Sequence, residues 1–542
     1  VLGALDWPGE WFHDRKTGTL YFYPPEGKVA DGEVRVPVVD HLITVRGTIP
    51  YPHGYLNVKH HGTREQFEMP PYVPPERPVA GLVFTGFRLD GARQDGIRMI
   101  GARNCAVVAC RVTNVGGVGI NLGGVTPAYD EVGNPRVVPA EGVFGGVGGA
   151  GQDLLFNDPC QGCVVRGNDV WSVGSDGIFL YGTQNVAENN HVYDTGLFDK
   201  DCACINLWGE RNAARRNELH DAPRNAVFLK GTDNVVELND IHNTMLETCD
   251  GGAIRMCQRN LTLRGNVIRH NRIVDTLGYG YPRGSNAYQS PYYSWGVYLD
   301  DYTCGTEVIG NVIVRTGRGG VMLHGGSDNV VANNVIVDAG GYAVEVAPIR
   351  EPVTGNLVRR NIIVCDGDRA FVYRCTRWLE GAVHFALNLV WPRGAPARVD
   401  LGRGGARYDD WETWQDAGLD EGSKVADPRF KDADDYRLRD DSPALDMGFT
   451  PIPVGDIGCY PDEARATWPL EVDPDLVRED PVLYVAPVRP LDEDFELDLV
   501  GKPPRHGDVI AFPKAPIVVT DEVAASGQHS LKIVDAPGLP RV

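Results

Sequence analysis

"NVIVRTG" (311–317), "NVIVDAG" (334–340) and "NIIVCDG" (361–367) can be written under one another without a gap. Four earlier segments join them: "NHVYDTG" from Asn190, "NELHDAP" from Asn217, "NDIHNTM" from Asn239 and "NRIVDTL" from Asn271. The seven asparagines are 27, 22, 32, 40, 23 and 27 residues apart, and Asn168 precedes the first by 22. Five residues before each stands another asparagine, at Asn185, Asn212, Asn234, Asn266, Asn329 and Asn356, with Thr306 interrupting the series. A third element completes each cycle: "GIFLYG", "CINLWG", "AVFLKG", "AIRMCQ", "GVYLDD", "GVMLHG". Each cycle therefore holds three alternating segments of about five residues, too short for helices. One cycle cannot bury its own apolar side, so successive cycles must stack. Asparagines at a fixed place in such a stack can hydrogen-bond along it. The pattern predicts an all-β chain folded as a right-handed parallel β-helix solenoid. A β-propeller needs about 40 residues and four antiparallel strands per blade, and the shorter cycle rejects it.

The solenoid begins before the first asparagine. "LVFTGFRLDGARQDGI" (82–97) aligns with "CVVRGNDVWSVGSDGI" (163–178), with Phe87 where Asn168 stands and Cys110 in the cycle between. Cys105 and Cys163 then fall on equivalent sites of adjacent coils, where two stacked free thiols are expected. Residues 1–30 read as an N-terminal β segment packing on the solenoid, 31–395 as the solenoid and 396–465 as a C-terminal cap. Residues 466–489 read as a linker, and 490–542 as the start of a β-sandwich-like module. Three excursions interrupt the pattern, at 47–80, 124–160 and 276–295. The last carries five tyrosines and one tryptophan, and loops of that length are usually functional walls or lids. "GGVGGAGQ" (145–152) lacks the GK[ST] of a phosphate loop, so no nucleotide is expected there. "CQGC" (160–163) has no second ligand pair nearby, so no zinc site is expected.

The chain has 542 residues and a formal charge of −21. That balance argues against nucleic acid and anionic membranes as partners, since both need a basic footprint. No apolar run is long enough to span a bilayer. The chain begins at Val1 without an apolar leader, so a signal peptide is either removed or not included. An extracellular or periplasmic monomer is expected.

In "GVYLDD" the alternation places Val297 and Leu299 inside, with Tyr298 and Asp300 facing out. The same register generates two outward columns. One reads Arg98, Asn121, Phe179, Asn206, Phe228, Arg255, Tyr298, Met322; the other reads Ile100, Gly123, Tyr181, Trp208, Lys230, Cys257, Asp300, His324. Rings interleaved with cations, amides and acids suit carbohydrate, because rings stack on sugar faces while polar groups take hydroxyls or carboxylates. Glycosidic cleavage needs two carboxyl groups, about 5–5.5 Å apart for retention or 6.5–9.5 Å for inversion. Asp250, Asp300 and Asp301 are the candidates, with Asp201 behind them; Asp95 and Asp176 sit in "DGI", ordinary turn chemistry. Two glycines after Asp250 let the backbone sit low. Asp300 and Asp301 repel, so one needs a cationic partner, and His324 on the next coil fits. Straight-strand geometry sets Asp250 and Asp300 about 20 Å apart, whereas Asp201 and Asp250 lie about 10 Å apart on equivalent positions.

Beyond these patterns, "LDWPGEWFHDRKTGTLYFYPPEG" (5–27), the series "DGGAI…GNVIRHN…GVYLDD…DNVVANNVIVDA" and the tail "ADPRF…DSPALDMG" resemble glycoside hydrolase family 141. The resemblance covers residues 1 to about 460 and implies fucosidase- or xylanase-like activity through a pair of aspartates, here Asp250 with Asp300 or Asp301. This chain departs from the family by its aromatic loop at 276–295 and by Arg255. The leading expectation is a glycoside hydrolase acting on plant or algal polysaccharide without a cofactor, with Tyr298, Trp208 and Arg255 positioning the sugar. The alternatives are a polysaccharide lyase or epimerase using Arg255, Lys230 and His324, to which Ca²⁺ could be added, and a non-catalytic glycan-binding surface protein.

Overall fold

The computed structural model describes residues 11–14, 16–24, 35–47, 77–127, 154–258, 261–474, 476, 499–502, 517–522 and 530–533, except 283, 286, 350–352, 367–370, 395, 433 and 434. The excursions at 47–80 and 124–160 fall largely outside them. So does the sandwich-like module expected over 490–542, of which an antiparallel hairpin, Ile517–Thr520 with Ser530–Ile533, is described. Within the N-terminal segment, Trp11–Asp14 pairs antiparallel with Thr19–Phe22.

The predicted cycle folds as a right-handed parallel β-helix whose described strands form three long sheets. The front sheet includes Ile178–Thr183, Ala203–Glu210, Asn225–Thr232, Gly251–Cys257, Ser294–Asp300, Gly319–His324 and Tyr342–Ala347. The back sheet holds the NVIV strands, such as Val312–Thr316, Val335–Ala339 and Ile362–Asp366. A side sheet joins the two, with strands such as Val330–Ala332 and Asn356–Arg359. Inward positions stack like on like. Ile178, Ile205, Val227, Ile254, Val297, Val321 and Val344 follow one another across the front sheet, all fully buried. Burial of this continuous apolar column is what one coil alone could not achieve.

Both asparagine series line the interior of the turns. Asn168 Nδ2 donates to Asn190 Oδ1, and the same bond links Asn190, Asn217, Asn239, Asn271, Asn311, Asn334, Asn361 and Asn388 at 2.8–3.0 Å. Each side-chain oxygen also accepts the backbone N–H of the preceding asparagine, as Asn311 does from Asn271 at 3.0 Å. Buried turn polar groups are satisfied in this way. In the second series Thr306 keeps only the backbone donation, to Asn329 Oδ1 at 3.0 Å.

At the C-terminal end the inward column changes to Tyr373, which stacks on Phe385 with centroids 4.1 Å apart. The short helix Trp411–Asp416, N-capped by Asp410, lays the fully buried Trp414 against both rings and against Tyr408. The last open coil is thus covered. From there the chain runs back along the outside of the coils. Thr450 bonds Asn333, Gly458 N bonds Leu238 O, and Tyr460 N bonds Asn189 Oδ1. Arg465 then meets Asp169 at 3.1 Å, both buried, and Trp171 donates to Asp473 at 3.0 Å. The contacts of this strap with the coils reach Asp473, whose N–H donates to the Tyr193 hydroxyl oxygen at 3.0 Å. Cys105 and Cys163 are both free and buried.

Candidate active site

The register of the front sheet reproduces the first outward column. Asn206, Phe228, Arg255, Tyr298 and Met322 are successive partners, and the column continues through Glu345 to Arg374. In the second column Trp208 faces Lys230, and Cys257 faces Asp300.

Asp250 closes the turn before its strand in a left-handed conformation, φ +56°, and its N–H donates to Tyr293 O at 2.8 Å. The next two glycines have a steric reason. A Cβ on Gly251 would stand 2.8 Å from the Met245 side chain, and one on Gly252 would stand 2.8 Å from Trp295 O and 3.1 Å from Tyr298 Cβ. Glycine therefore lets the next coil lie close. The Tyr298 hydroxyl donates to Asp250 Oδ1 at 3.3 Å. Burial, with Asp300 and Asp250 close by, raises the Tyr298 pKa far above its ordinary value, so it remains a donor.

Asp300 is 5% exposed and fully engaged. Arg255 Nη2 donates to Oδ2 at 2.7 Å, His324 Nδ1 lies 2.7 Å from Oδ1, and Asp301 N donates to Oδ1 at 2.8 Å. Burial would raise its pKa, but His324 and Arg255 outweigh burial and hold it well below the carboxylate range. Burial likewise opposes the charge on His324 and Arg255, yet the Asp300 carboxylate raises both pKa values. The Arg255 guanidinium also sits 5.6 Å from the Tyr298 ring centre. The result is a continuous chain, Asp250 to Tyr298, Arg255, Asp300 and His324. The separation expected between the Asp250 and Asp300 backbones is bridged by side chains, chiefly the Tyr298 ring, which reaches back along the strand.

Asp301 begins the following turn with φ +31° and is half-buried. Its carboxylate lies 3.7 Å from His324 Nδ1 and 3.9 Å from Cys257 Sγ. Cys257, Asp300 and Asp301 offer three potential ligand atoms within 4.8 Å of one another. The donor set does not suit Ca²⁺, which takes six to eight hard oxygens. One donor here is a thiol, and both Asp300 oxygens already face cations.

The other sequence candidates lie on the same face. Lys230 Nζ sits 5.4 Å from the Trp208 ring centre, and Trp208 meets Phe179 edge-on at 5.7 Å. Both occupy coils preceding the Asp300 cluster. Asp201 and Asp250 are joined by a residue that sequence reasoning missed: Arg224 Nε lies 3.0 Å from Asp201, and Arg224 Nη2 donates to Asp250 O at 3.2 Å. Asp176 accepts from Ala203 N at 2.8 Å, and burial raises its pKa to about 7. Asp95 accepts from Val118 N at 3.0 Å. Both are turn carboxylates that hold the backbone of the next coil. Glu345 was also missed. It is 1% exposed and accepts from Trp295 Nε1 at 3.1 Å and from Arg318 at 3.0 Å, with Arg374 3.8 Å away. Extending the outward column past Met322 would have found it.

A family model described as "Right handed beta helix region" matches residues 203–376. No curated protein sequence matches the chain. Similar solved structures include one described as "Glycoside hydrolase", at 15% identity and a TM-score of 0.39, covering 66% of this chain and 57% of that one. Another is the family PL6 polysaccharide lyase Pedsa3628 from Pseudopedobacter saltans, at 9% identity and a TM-score of 0.36, covering 71% and 90%. A third is the periplasmic alginate epimerase AlgG, at 9% identity and a TM-score of 0.34, covering 65% and 77%. The chain spans less than two-thirds of the length of the first.

Proposed function

We propose that the protein is a carbohydrate-active enzyme, a glycoside hydrolase working at the front-sheet cluster of Asp250, Tyr298, Arg255, Asp300, Asp301 and His324. The observation that carries this reading is the clamped state of Asp300 beside two carboxylates that are not so clamped. Held by Arg255, His324 and the Asp301 N–H, Asp300 stays ionised and positions its two cations. The half-buried Asp301 and the exposed Asp250 then form the acid and base pair. One protonates the departing glycosidic oxygen while the other takes a proton from the attacking water. Arg255, Trp208 and Lys230 contact the sugar, while the buried Tyr298 positions Asp250 through its hydroxyl. The resemblance to glycoside hydrolase family 141 supports the same class. The natural substrate is a plant or algal polysaccharide or its side chains, met outside the cell or in the periplasm by a monomer.

A second reading, β-elimination or epimerisation of a uronate, is favoured by one contact. With Nδ1 on Asp300, His324 has Nε2 as its second nitrogen, the arrangement of an oriented base. Incubating the protein with a panel of neutral and acidic polysaccharides separates the two. New reducing ends without unsaturated uronate absorbance are expected. Absorbance from unsaturated ends, or epimerisation without cleavage, would overturn the hydrolase.

A further inference from the structure

Glu345 continues the first outward column two coils beyond Tyr298, and the acid–base chemistry makes no use of it. It is 1% exposed, and a buried carboxylate is costly unless cations and hydrogen bonds satisfy it. Both of its oxygens are satisfied. Arg318 forks onto them, Nε to Oε2 and Nη2 to Oε1, each at 3.0 Å, and Trp295 Nε1 donates to Oε2 at 3.1 Å. Such a fork fixes the guanidinium plane as well as its charge. Arg318 then lies 4.6 Å from the Tyr293 ring centre and 5.5 Å from that of Trp295. Its backbone N–H donates to Ser294 O, between those two residues, at 2.8 Å.

Trp295 is the wedge of this group. It is fully buried, meets Tyr293 edge-on at 4.9 Å and lies 4.6 Å from the Tyr298 ring centre. A Cβ on its register partner Gly319 would stand 2.5 Å from Trp295 Cδ1, so glycine there gives the indole its room. The two tyrosines that flank the indole are also the two that hold Asp250. Tyr293 O accepts the Asp250 N–H at 2.8 Å, and the Tyr298 hydroxyl donates to Asp250 Oδ1 at 3.3 Å. Tyr293 does so from a left-handed backbone, φ +42°, which a bulky residue keeps only where its surroundings hold it. Arg318 and Trp295 are those surroundings.

We propose that Glu345 is a positioning residue for Asp250, acting through Arg318 and Trp295 on Tyr293 and Tyr298. The role of Asp250 in the acid and base pair rests on the function proposed above; the coupling of Glu345 to Asp250 rests on the contacts alone. Buried Glu345 and Trp295 do not meet the sugar, so their loss falls on turnover and not on substrate affinity.

Two conservative variants test this, each with a melting curve to establish that the protein is folded at the assay temperature. Trp295→Phe keeps a ring in the wedge and loses the N–H to Glu345. Arg318→Lys keeps the charge and loses the fork. Glu345→Gln, which gives up one accepting oxygen, should follow them. Hydrogen exchange at the Asp250 amide, read by fragmentation mass spectrometry on the full chain without substrate, should quicken about tenfold in each. Amides near Val170, on the back sheet, should not change. On the first glycan the unsubstituted protein cleaves, kcat should fall about tenfold to a hundredfold, with KM held within about twofold. Combined with Asp250→Asn, each substitution should lower the residual kcat no further, because residues that act as a unit are not additive. Unchanged exchange at Asp250 would overturn the proposal. So would a raised KM with kcat retained, or full additivity with Asp250→Asn. Full activity of Asp250→Asn would instead overturn the acid–base role of Asp250, on which the exchange measurement does not depend.

Discussion

Asp300 shows what a single carboxylate can do in a parallel solenoid. Facing out of its strand, it lies between a guanidinium one coil back and an imidazole one coil on. Its side chain is 7% exposed and that of Arg255 13%. Breaking such a buried pair by removing one partner costs about 3–5 kcal/mol. Asp300→Asn should therefore lower unfolding free energy by about 3 kcal/mol or more in urea titration, besides suppressing turnover. The pH dependence follows from the two shifts. Asp300's pKa is depressed, so its contribution is present above its unfolded value, about 3.9, and is lost as pH falls through the folded value. His324's pKa is raised, so its contribution is present below about 6.5 and is lost as pH rises through its higher folded value. The pair should stabilise most between about pH 4 and 6.5. His324→Gln should remove the alkaline decline attributable to this pair; an unchanged alkaline limb would contradict the assignment.

Among the elements, the asparagine turns were legible because a buried amide on every coil must meet its neighbour, which fixes residue type and place. Asn271 accepts from both the N–H and Nδ2 of Asn239 and donates to Asn311. Asn271→Leu would leave buried donors unmet at about 1–3 kcal/mol each, so a loss above 3 kcal/mol is expected. Thr306 makes no amide rung, and Thr306→Val should cost about 1 kcal/mol or less. Equal effects in parallel urea titrations would contradict a cooperative ladder. The strap was not legible. Its contacts join residues from 117 to 302 positions apart, as Thr450 with Asn333 and Trp171 with Asp473, and carry no period. Arg465→Ala would strand a buried carboxylate at about 3–5 kcal/mol, a loss readable as a lower thermal midpoint.

For the whole molecule, stacking parallel coils turns a sequence period into columns, and the outward columns could be read before any coordinates. Which side chains meet within the columns could not. The seven-residue offset between Asp250 and Asp300 stands in the register, and the Tyr298 hydroxyl that reaches Asp250 across it is a contact that backbone spacing does not reveal. Arg224 escaped notice because it precedes its strand and so belongs to no column. At the far end, the solenoid stops where large rings replace valine and isoleucine. Trp414→Ala should cost about 3–5 kcal/mol and fray the last coil first, detectable as faster amide hydrogen exchange near Tyr373 than near Ile254.

We propose that Asp250 and Asp301 carry the chemistry while Asp300 positions it. The most direct test measures kcat and its pH profile for Asp250→Asn, Asp301→Asn and Asp300→Asn on the first glycan the unsubstituted protein cleaves. Asp250→Asn and Asp301→Asn should remain as stable as the parent and lose at least 10³-fold in kcat. Asp300→Asn should instead lower stability and activity together and shift the profile. Full activity in either Asp250→Asn or Asp301→Asn, or a stable Asp300→Asn protein that alone has lost turnover, would contradict it.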